Sequence, residues 1–399
     1  MARRLTILSL VAFALASCTA ETAPTTTTTP VTTTEAEPAS AGRLVVVDRV
    51  GDVVMVDGDG GNRVDLATSG AEGLAFAQPI WSPDGRQVSW AQAGPEGFSY
   101  VVMDLATEAA TEVATAEFAY YDYWSPESDR LGLLRNGETG VVLDLLDLDD
   151  ESVSTVDTDS SYYFSWSPSG DGLVAHAGAT RLVSRDRSGE ELSSGETAAG
   201  YVAPHWLDAG VLHVDGDRLV VDASDGTRTE VAEVAGFTTF VSNRQGTRVA
   251  MQSIASDDAV SVGFGDAAAP PLNELVVVDV ESGSVAAVTD TPAVAFFWSP
   301  DGESLLVMEL NAGRNGLATS VWAPDGVEEY TEYSPSPVQL RDLFPFFPQY
   351  AQSLSFWSAA SDAFVLVGEI DGDTGVWVQT LGSGEPELVS DGVWAAWSP

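Results

Sequence analysis

The residues of this 399-residue chain that could do chemistry are few: three histidines, one cysteine and a large surplus of carboxylates. His176, His205 and His213 fall in no His-Glu-x-x-His pattern, and no Gly-x-Ser-x-Gly elbow or Cys-x-x-Cys pair occurs, so the familiar hydrolase and zinc signatures are absent. A general base needs a carboxylate or hydroxyl partner. Spacing identifies none for His205, which is read as a hydrogen-bonded structural histidine and kept as a binding candidate. The run Asp57-Gly58-Asp59-Gly60-Gly61-Asn62, like Asp371-Gly372-Asp373, has the oxygen density of a calcium loop but not the distal Glu at fixed spacing. Both are explained as hairpin turns, and no metal, cofactor or catalytic residue is expected.

The remaining candidates are aromatic. Arg341-Asp342-Leu343-Phe344-Pro345-Phe346-Phe347-Pro348-Gln349-Tyr350 is a cluster stiffened by two prolines, which can serve as a recognition patch or cover a core. Burial of most of its aromatics (Phe344, Phe346, Phe347) is expected, with Arg341 and Tyr350 at the surface. Tyrosines also crowd two short segments, Tyr120-Tyr121-Asp122-Tyr123 and Ser161-Tyr162-Tyr163. A tyrosine can stack on a sugar or peptide and hydrogen-bond it, so Tyr121, Tyr123, Tyr162 and Tyr163 join the candidates, with packing between sheets as the alternative for about half of them.

These residues must be held by something, and the chain repeats. Trp-Ser-Pro occurs at Trp81, Trp124, Trp166, Trp298 and Trp397, with decayed copies at Trp206, Val241 and Trp357. The anchors are 43, 42, 40, 35, 57, 59 and 40 residues apart, a period of propeller blades rather than helical solenoids. After Trp81 come the β-branched or aromatic runs Gln87–Ala91, Ser99–Asp104 and Thr111–Ala114, bounded by turn residues and without a 3.6-residue period. Each unit therefore reads as four strands. Pro83-Asp84-Gly85 supplies a tight reversal, His205 falls on a first strand, and His176 and His213 fall on second strands of neighbouring units.

The Trp-Ser-Pro-Asp-Gly repeats, with a strand ending Met103-Asp104 and the hairpin Val54 to Asn62, resemble the TolB-like, WD-repeat-like β-propeller family over roughly residues 43 to 399. The resemblance implies an all-β propeller and says little about function. Seven anchors each begin a four-strand unit. The leftovers, Arg43 to Ala67 with three strands and Val393 to Pro399 with one, combine into an eighth blade whose innermost strand is C-terminal. Eight blades are expected, with seven as the alternative. Ser82-Pro83-Asp84-Gly85 also comes near the sialidase Asp-box, but its glycine follows the aspartate directly and no accompanying arginine triad is identifiable.

Location is written in the first forty residues. Arg3-Arg4 and the apolar run Leu5 to Ala16 form a signal peptide too short to span a bilayer. Leu15-Ala16-Ser17-Cys18 resembles a bacterial lipobox, which implies removal of residues 1–17 and lipidation of Cys18. Residues 18–42 hold ten threonines with Pro24, Pro30 and Pro38 and read as a solvated tether. The chain carries 60 acidic and 17 basic residues, all the basic ones Arg, for a net charge of −43. Such a surface repels nucleic acid and anionic headgroups and fits a saline habitat.

Two insertions account for the long spacings: Ser253 to Pro271 inside the sixth unit and Tyr333 to Gln352 between the seventh and eighth. Both should leave the same face of a propeller. The expected protein is a monomeric module on the outer side of a bacterial cell membrane, attached by its lipid alone, binding a protein, peptide or cell-envelope glycan there without catalysis. The alternatives are a glycan hydrolase or lyase with a channel-mouth site, and an accessory subunit of an envelope or export complex.

Overall fold

A computed structural model describes residues 42–399 apart from 70–72, 139, 158–160, 179, 197–202, 235–236, 255–261, 265–266, 270–273 and 292. The expected leader, Cys18 and all of the tether before Gly42 lie outside the described residues.

The repeat folds as antiparallel meanders. Among the described residues there are six four-stranded sheets, alongside one two-stranded and one seven-stranded sheet. The unit after the first leftover segment is typical, running Ala75–Trp81, Gln87–Gly94, Gly97–Asp104 and Ala109–Thr115, with strands that extend beyond the apolar runs alone. The leftover segments do share a sheet: Gly392–Trp397 pairs with Arg43–Asp48, followed by Val53–Asp57 and Val64–Ala67. His176 and His213 lie on second strands, Gly172–Ala177 and Gly210–Asp215, and His205 on the first strand His205–Leu207.

The eighth unit departs from the expected pattern. Its first strand is reduced to a single bridge, Trp357 to Phe364, and its other three strands join the four of the seventh unit into the seven-stranded sheet. The join consists of Ser334 against Glu369 and Pro335 against Gly368. A Cβ at Gly368 would lie 2.0 Å from the Ser334 carbonyl oxygen, so only glycine permits this crossing.

The repeated Trp, Ser and turn residues each have a mechanical task. Four anchor indoles donate to backbone carbonyls of the preceding unit: Trp81 to Ala396 (3.2 Å), Trp166 to Tyr123 (3.0 Å), Trp298 to Val241 (2.9 Å) and Trp357 to Phe297 (3.0 Å). A buried tryptophan thus gives both contact area and a satisfied donor that aligns neighbouring sheets. The following serine is buried and ties the turn, as Ser82 does by donating to Asp84 (2.7 Å) and accepting from the Gln87 amide (3.0 Å). Gly85 takes φ +70° there. Where Ser128 and Ser361 replace that glycine at φ +60°, their hydroxyls accept from the amides of Asp84 and Asp301 in the preceding units. Left-handed strain at serine is thereby offset by an inter-sheet bond. In the sixth unit the anchor lies one residue later than the Val241 expected from sequence: Ser242 takes the place of the tryptophan and Asn243 that of the serine, accepting from the Thr247 and Arg248 amides.

Candidate functional site

The second insertion folds into the protein. After the strand Gly326–Pro335, residues Gln339–Leu343 form a π-helical turn, Phe344–Phe346 a 3-10 turn and Phe347–Ser353 a helix, here α1. Pro345 and Pro348 sit at the first positions of the last two elements, where a fixed φ and a missing N–H cost nothing. Ser336 donates to the Val393 carbonyl (2.9 Å) and accepts from the Gln339 amide, which fixes the entry of the segment. Leu343, Phe344, Phe347 and Tyr350 are buried. Their rings meet first strands of several sheets: Phe347 lies 4.9 Å from Phe296, and Tyr350 lies 5.0 Å from Tyr121 and 6.0 Å from Trp394.

The polar side chains of α1 are equally engaged. The buried Gln349 carboxamide accepts from the Phe164 amide (2.9 Å) and donates to the Phe164 carbonyl (2.7 Å) and the Tyr121 hydroxyl (2.8 Å), so it pairs the first strand of the fourth sheet much as another strand would. Tyr350 donates to the Tyr120 carbonyl, and Gln352 donates to that of Pro204. In this way side chains of α1 satisfy backbone groups of the third, fourth and fifth sheets. Gln349→Ala would leave the Phe164 N–H and C=O buried without partners, and a loss of about 2–4 kcal/mol in denaturant unfolding is expected. Gln352→Ala, at a half-buried site with one such bond, should cost under about 1 kcal/mol.

Several candidate residues are thus placed differently from expectation. Tyr350 is buried, at 5% exposure, because its ring is wedged between Tyr121 and Trp394. Phe346 is the exposed aromatic, at 49%, since the turn directs Phe344 and Phe347 inward instead. Arg341 is exposed and forms a bidentate pair with Asp342 at 2.6 Å. Tyr121 is buried against the insertion, while Tyr123 and Tyr163 are half-buried; burial pushes both of the latter phenols up to about 12. Tyr162 lies in the strand Ser161–Trp166, and its side chain is outside the described residues.

His205 is buried beside Phe240, with ring centroids 5.5 Å apart, and its Nε2 has no hydrogen-bond partner among the described residues. Aromatic packing rather than the expected hydrogen bond accounts for this nitrogen. Desolvation holds the imidazole neutral down to about 3. His213 faces Asp222 at 2.9 Å, and Arg228 first, then this histidine, holds that carboxylate near 2 against its desolvation. This cluster is a cross-strand ionic network. No group of three His, Cys, Asp or Glu among the described residues could hold a metal ion.

One titratable group has no counterpart among the residues expected from sequence. Asp122, between the tyrosines singled out, is buried and accepts from the hydroxyls of Tyr100 and Ser89 of the preceding sheet. Ser89 in turn accepts from the Trp124 indole at 3.0 Å. Desolvation raises the Asp122 carboxyl to about 7, against the lowering effect of its two donors. A charged residue inside an otherwise aromatic strand was the available signal.

No family model and no curated protein matches the chain. Solved structures do. A eukaryotic initiation factor aligns with a TM-score of 0.55 at 10% identity, covering 90% of this chain and 98% of that one. TolB from Acinetobacter baumannii aligns at 0.42 and 15%, over 74% of this chain and 65% of TolB. The Cps50 (Swd1) β-propeller domain of Myceliophteria thermophila aligns at 0.45 and 16%, over 69% and 92%. The repeated four-stranded meanders, together with the initiation-factor likeness, mark an all-β fold of β-propeller type. At such identities the likeness concerns the fold alone.

Proposed function

We propose that this chain is a lipid-anchored, extracytoplasmic propeller of eight blades that binds a protein, peptide or cell-envelope glycan through its insertion-bearing face and carries out no catalysis. The observation that carries the reading is the seating of α1, Phe347–Ser353, against the first strands of the third, fourth, sixth and seventh sheets. A small-molecule site needs a concavity with convergent polar groups. Phe347, Gln349 and Tyr350 are buried against those first strands, which disfavours a hydrolase or lyase site there. Between Ser336 and Leu354 the exposed residues are Pro337, Arg341, Pro345 and Phe346, among them an arginine and an aromatic of the sort that anchors protein contacts.

The eight-blade count is supported by the sharing of one sheet by residues 43–67 and 392–397, and by the two-residue join within the seven-stranded sheet. Anchoring is supported by the sequence around Cys18. Cys18→Ala should move the protein from the membrane to the soluble extracytoplasmic fraction on immunoblotting, whereas unchanged membrane retention would refute lipidation. Arg341→Glu/Phe346→Ser alters the exposed residues and spares the buried ones. Pull-downs from envelope extracts with this variant should lose the partner that the parent captures. Identical capture would count against the face.

A further inference from the structure

The seam between the fifth sheet, His205 to Glu233, and the sixth, Phe237 to Thr289, carries a cleft. It measures about 690 Å³ and is bounded by the strand Arg228–Glu233 on one side and by strands of the sixth sheet on the other. Beneath it Val231 of the fifth sheet and Met251 and Val278 of the sixth belong to one apolar cluster that spans the seam and is separate from the main core. Val276 is half-buried in the cleft and Val285 is 62% exposed, so apolar wall remains open to solvent.

Among the described residues the cleft is lined by three carboxylates, Glu233, Glu274 and Asp290, and by no arginine or histidine. Glu233 already holds Arg218 at 2.6 Å; Glu274 and Asp290 are exposed. Glu274 stands where the chain returns from the first insertion to the strand Leu275–Asp279, and Glu233 and Asp290 stand at the ends of the fourth strands Arg228–Glu233 and Val285–Thr289, the ends that share the insertion-bearing side. A low-dielectric wall beside like charges concentrates cations at the mouth, and a volume of this order suits a segment of a few side chains.

We infer that this cleft binds a basic-apolar peptide segment, an aliphatic side chain entering between Val231, Met251 and Val276 while a flanking lysine or arginine meets Glu274 and Asp290. The inference rests on the reading of the insertion-bearing side as the partner side, and it names the chemistry that partner would present.

The test uses the full chain and two labelled peptides of equal charge, Lys-Leu-Lys-Leu-Lys and Lys-Gly-Lys-Gly-Lys, followed by fluorescence anisotropy at physiological salt. Binding of the leucine peptide about tenfold tighter than the glycine peptide is expected, from burial of apolar surface. Glu274→Gln/Asp290→Asn should weaken the leucine peptide by about tenfold, with the melting temperature unchanged. Val285→Ser, at an exposed position, should reduce the leucine preference by about threefold without touching charge. Asp149→Asn/Asp150→Asn, in the distant third-sheet hairpin, removes the same charge and should leave the preference intact.

Equal binding of the two peptides, equal loss in both double variants, or no binding would overturn the inference. So would binding that appears only after residues 255–273 are replaced by a Gly-Ser linker, which would assign the cleft to the chain's own insertion. Arg341→Glu/Phe346→Ser should leave peptide binding unaltered. Loss of envelope capture in that variant together with failure of the peptide experiment would leave the partner face standing without this cleft.

Discussion

A chain lacking Val393 to Pro399 is expected to show no cooperative thermal transition. The strand Gly392–Trp397 pairs with Arg43–Asp48 and buries Trp394, Ala395, Ala396 and Trp397 almost completely. It is bonded to the next unit in both directions, through the Trp394 indole on the Pro79 carbonyl (3.1 Å) and the Trp81 indole on the Ala396 carbonyl (3.2 Å). Loss of each buried tryptophan costs about 3–5 kcal/mol, and two such losses rival the whole stability of a typical domain, about 5–15 kcal/mol. Removal would also leave the Arg43–Asp48 edge with unpaired backbone groups. Near-UV circular dichroism checks this directly; a transition within a few degrees of the intact protein's would show the strand to be dispensable. Trp397→Phe provides the internal contrast. The Trp397 indole N–H has no hydrogen-bond partner among the described residues, so this substitution forfeits no bond and should cost only about 1 kcal/mol of packing.

The second large effect is electrostatic. The Asp122 carboxyl titrates at about 7 in the folded protein, against an ordinary value of 3.8. At 1.36 kcal/mol per unit this corresponds to about 4 kcal/mol. The sign follows from proton linkage: between about pH 4 and 7 the unfolded chain releases a proton that the folded chain keeps, so stability is greatest at the acid end and falls as pH rises to about 7. The groups around the carboxyl are the neutral Tyr100 and Ser89, with Tyr121 and Tyr123 on its own strand and Tyr350 on the insertion. No cation contributes to its titration. Asp122→Asn is neutral throughout, and its amide protons impose a pH-independent cost. The stability difference between variant and parent should therefore move in the variant's favour by about 4 kcal/mol from pH 4 to pH 8. Urea unfolding of both proteins across that range measures it, and repulsion among the other carboxylates cancels in the difference. A constant difference would show that Asp122 is ionised in the folded protein at acid pH.

Much of the architecture was legible because its causes are local. Trp81, Ser82, Pro83, Asp84 and Gly85 each serve the turn or the seam next to them, so their recurrence revealed the unit and its period. The pairing of Arg43–Asp48 with Gly392–Trp397 followed from counting strands, since an unpaired edge on either side would be left otherwise. The reduced first strand at Trp357 was not legible. Its cause is the insertion before it, which carries the chain into α1 and returns it at Leu354 in extended conformation with room for only a bridge.

The candidate site was legible in composition and not in direction. The cluster from Arg341 to Tyr350 was recognisable as special, but which aromatic faced outward depended on a π turn followed by a 3-10 turn. A phase error of one residue across those turns exchanges Phe346 with Phe347. Gln349 passed unnoticed because a lone glutamine carries no motif; its importance comes from Phe164, 185 residues away in sequence. Asp122 was overlooked for a related reason: burial, not residue type, makes its carboxyl unusual.

In the proposed function a partner meets the outer surface of the insertion while the buried side of that segment stays packed against the sheets. Amide hydrogen exchange of the full chain, free and bound to the partner captured from envelope extracts, tests it most directly. New protection on binding is expected in the peptide spanning Val338 to Phe346, around Arg341 and Phe346, with α1 slow to exchange in both states. New protection confined to the hairpins at 58–62, 104–108 and 147–151, on the opposite side, would contradict it.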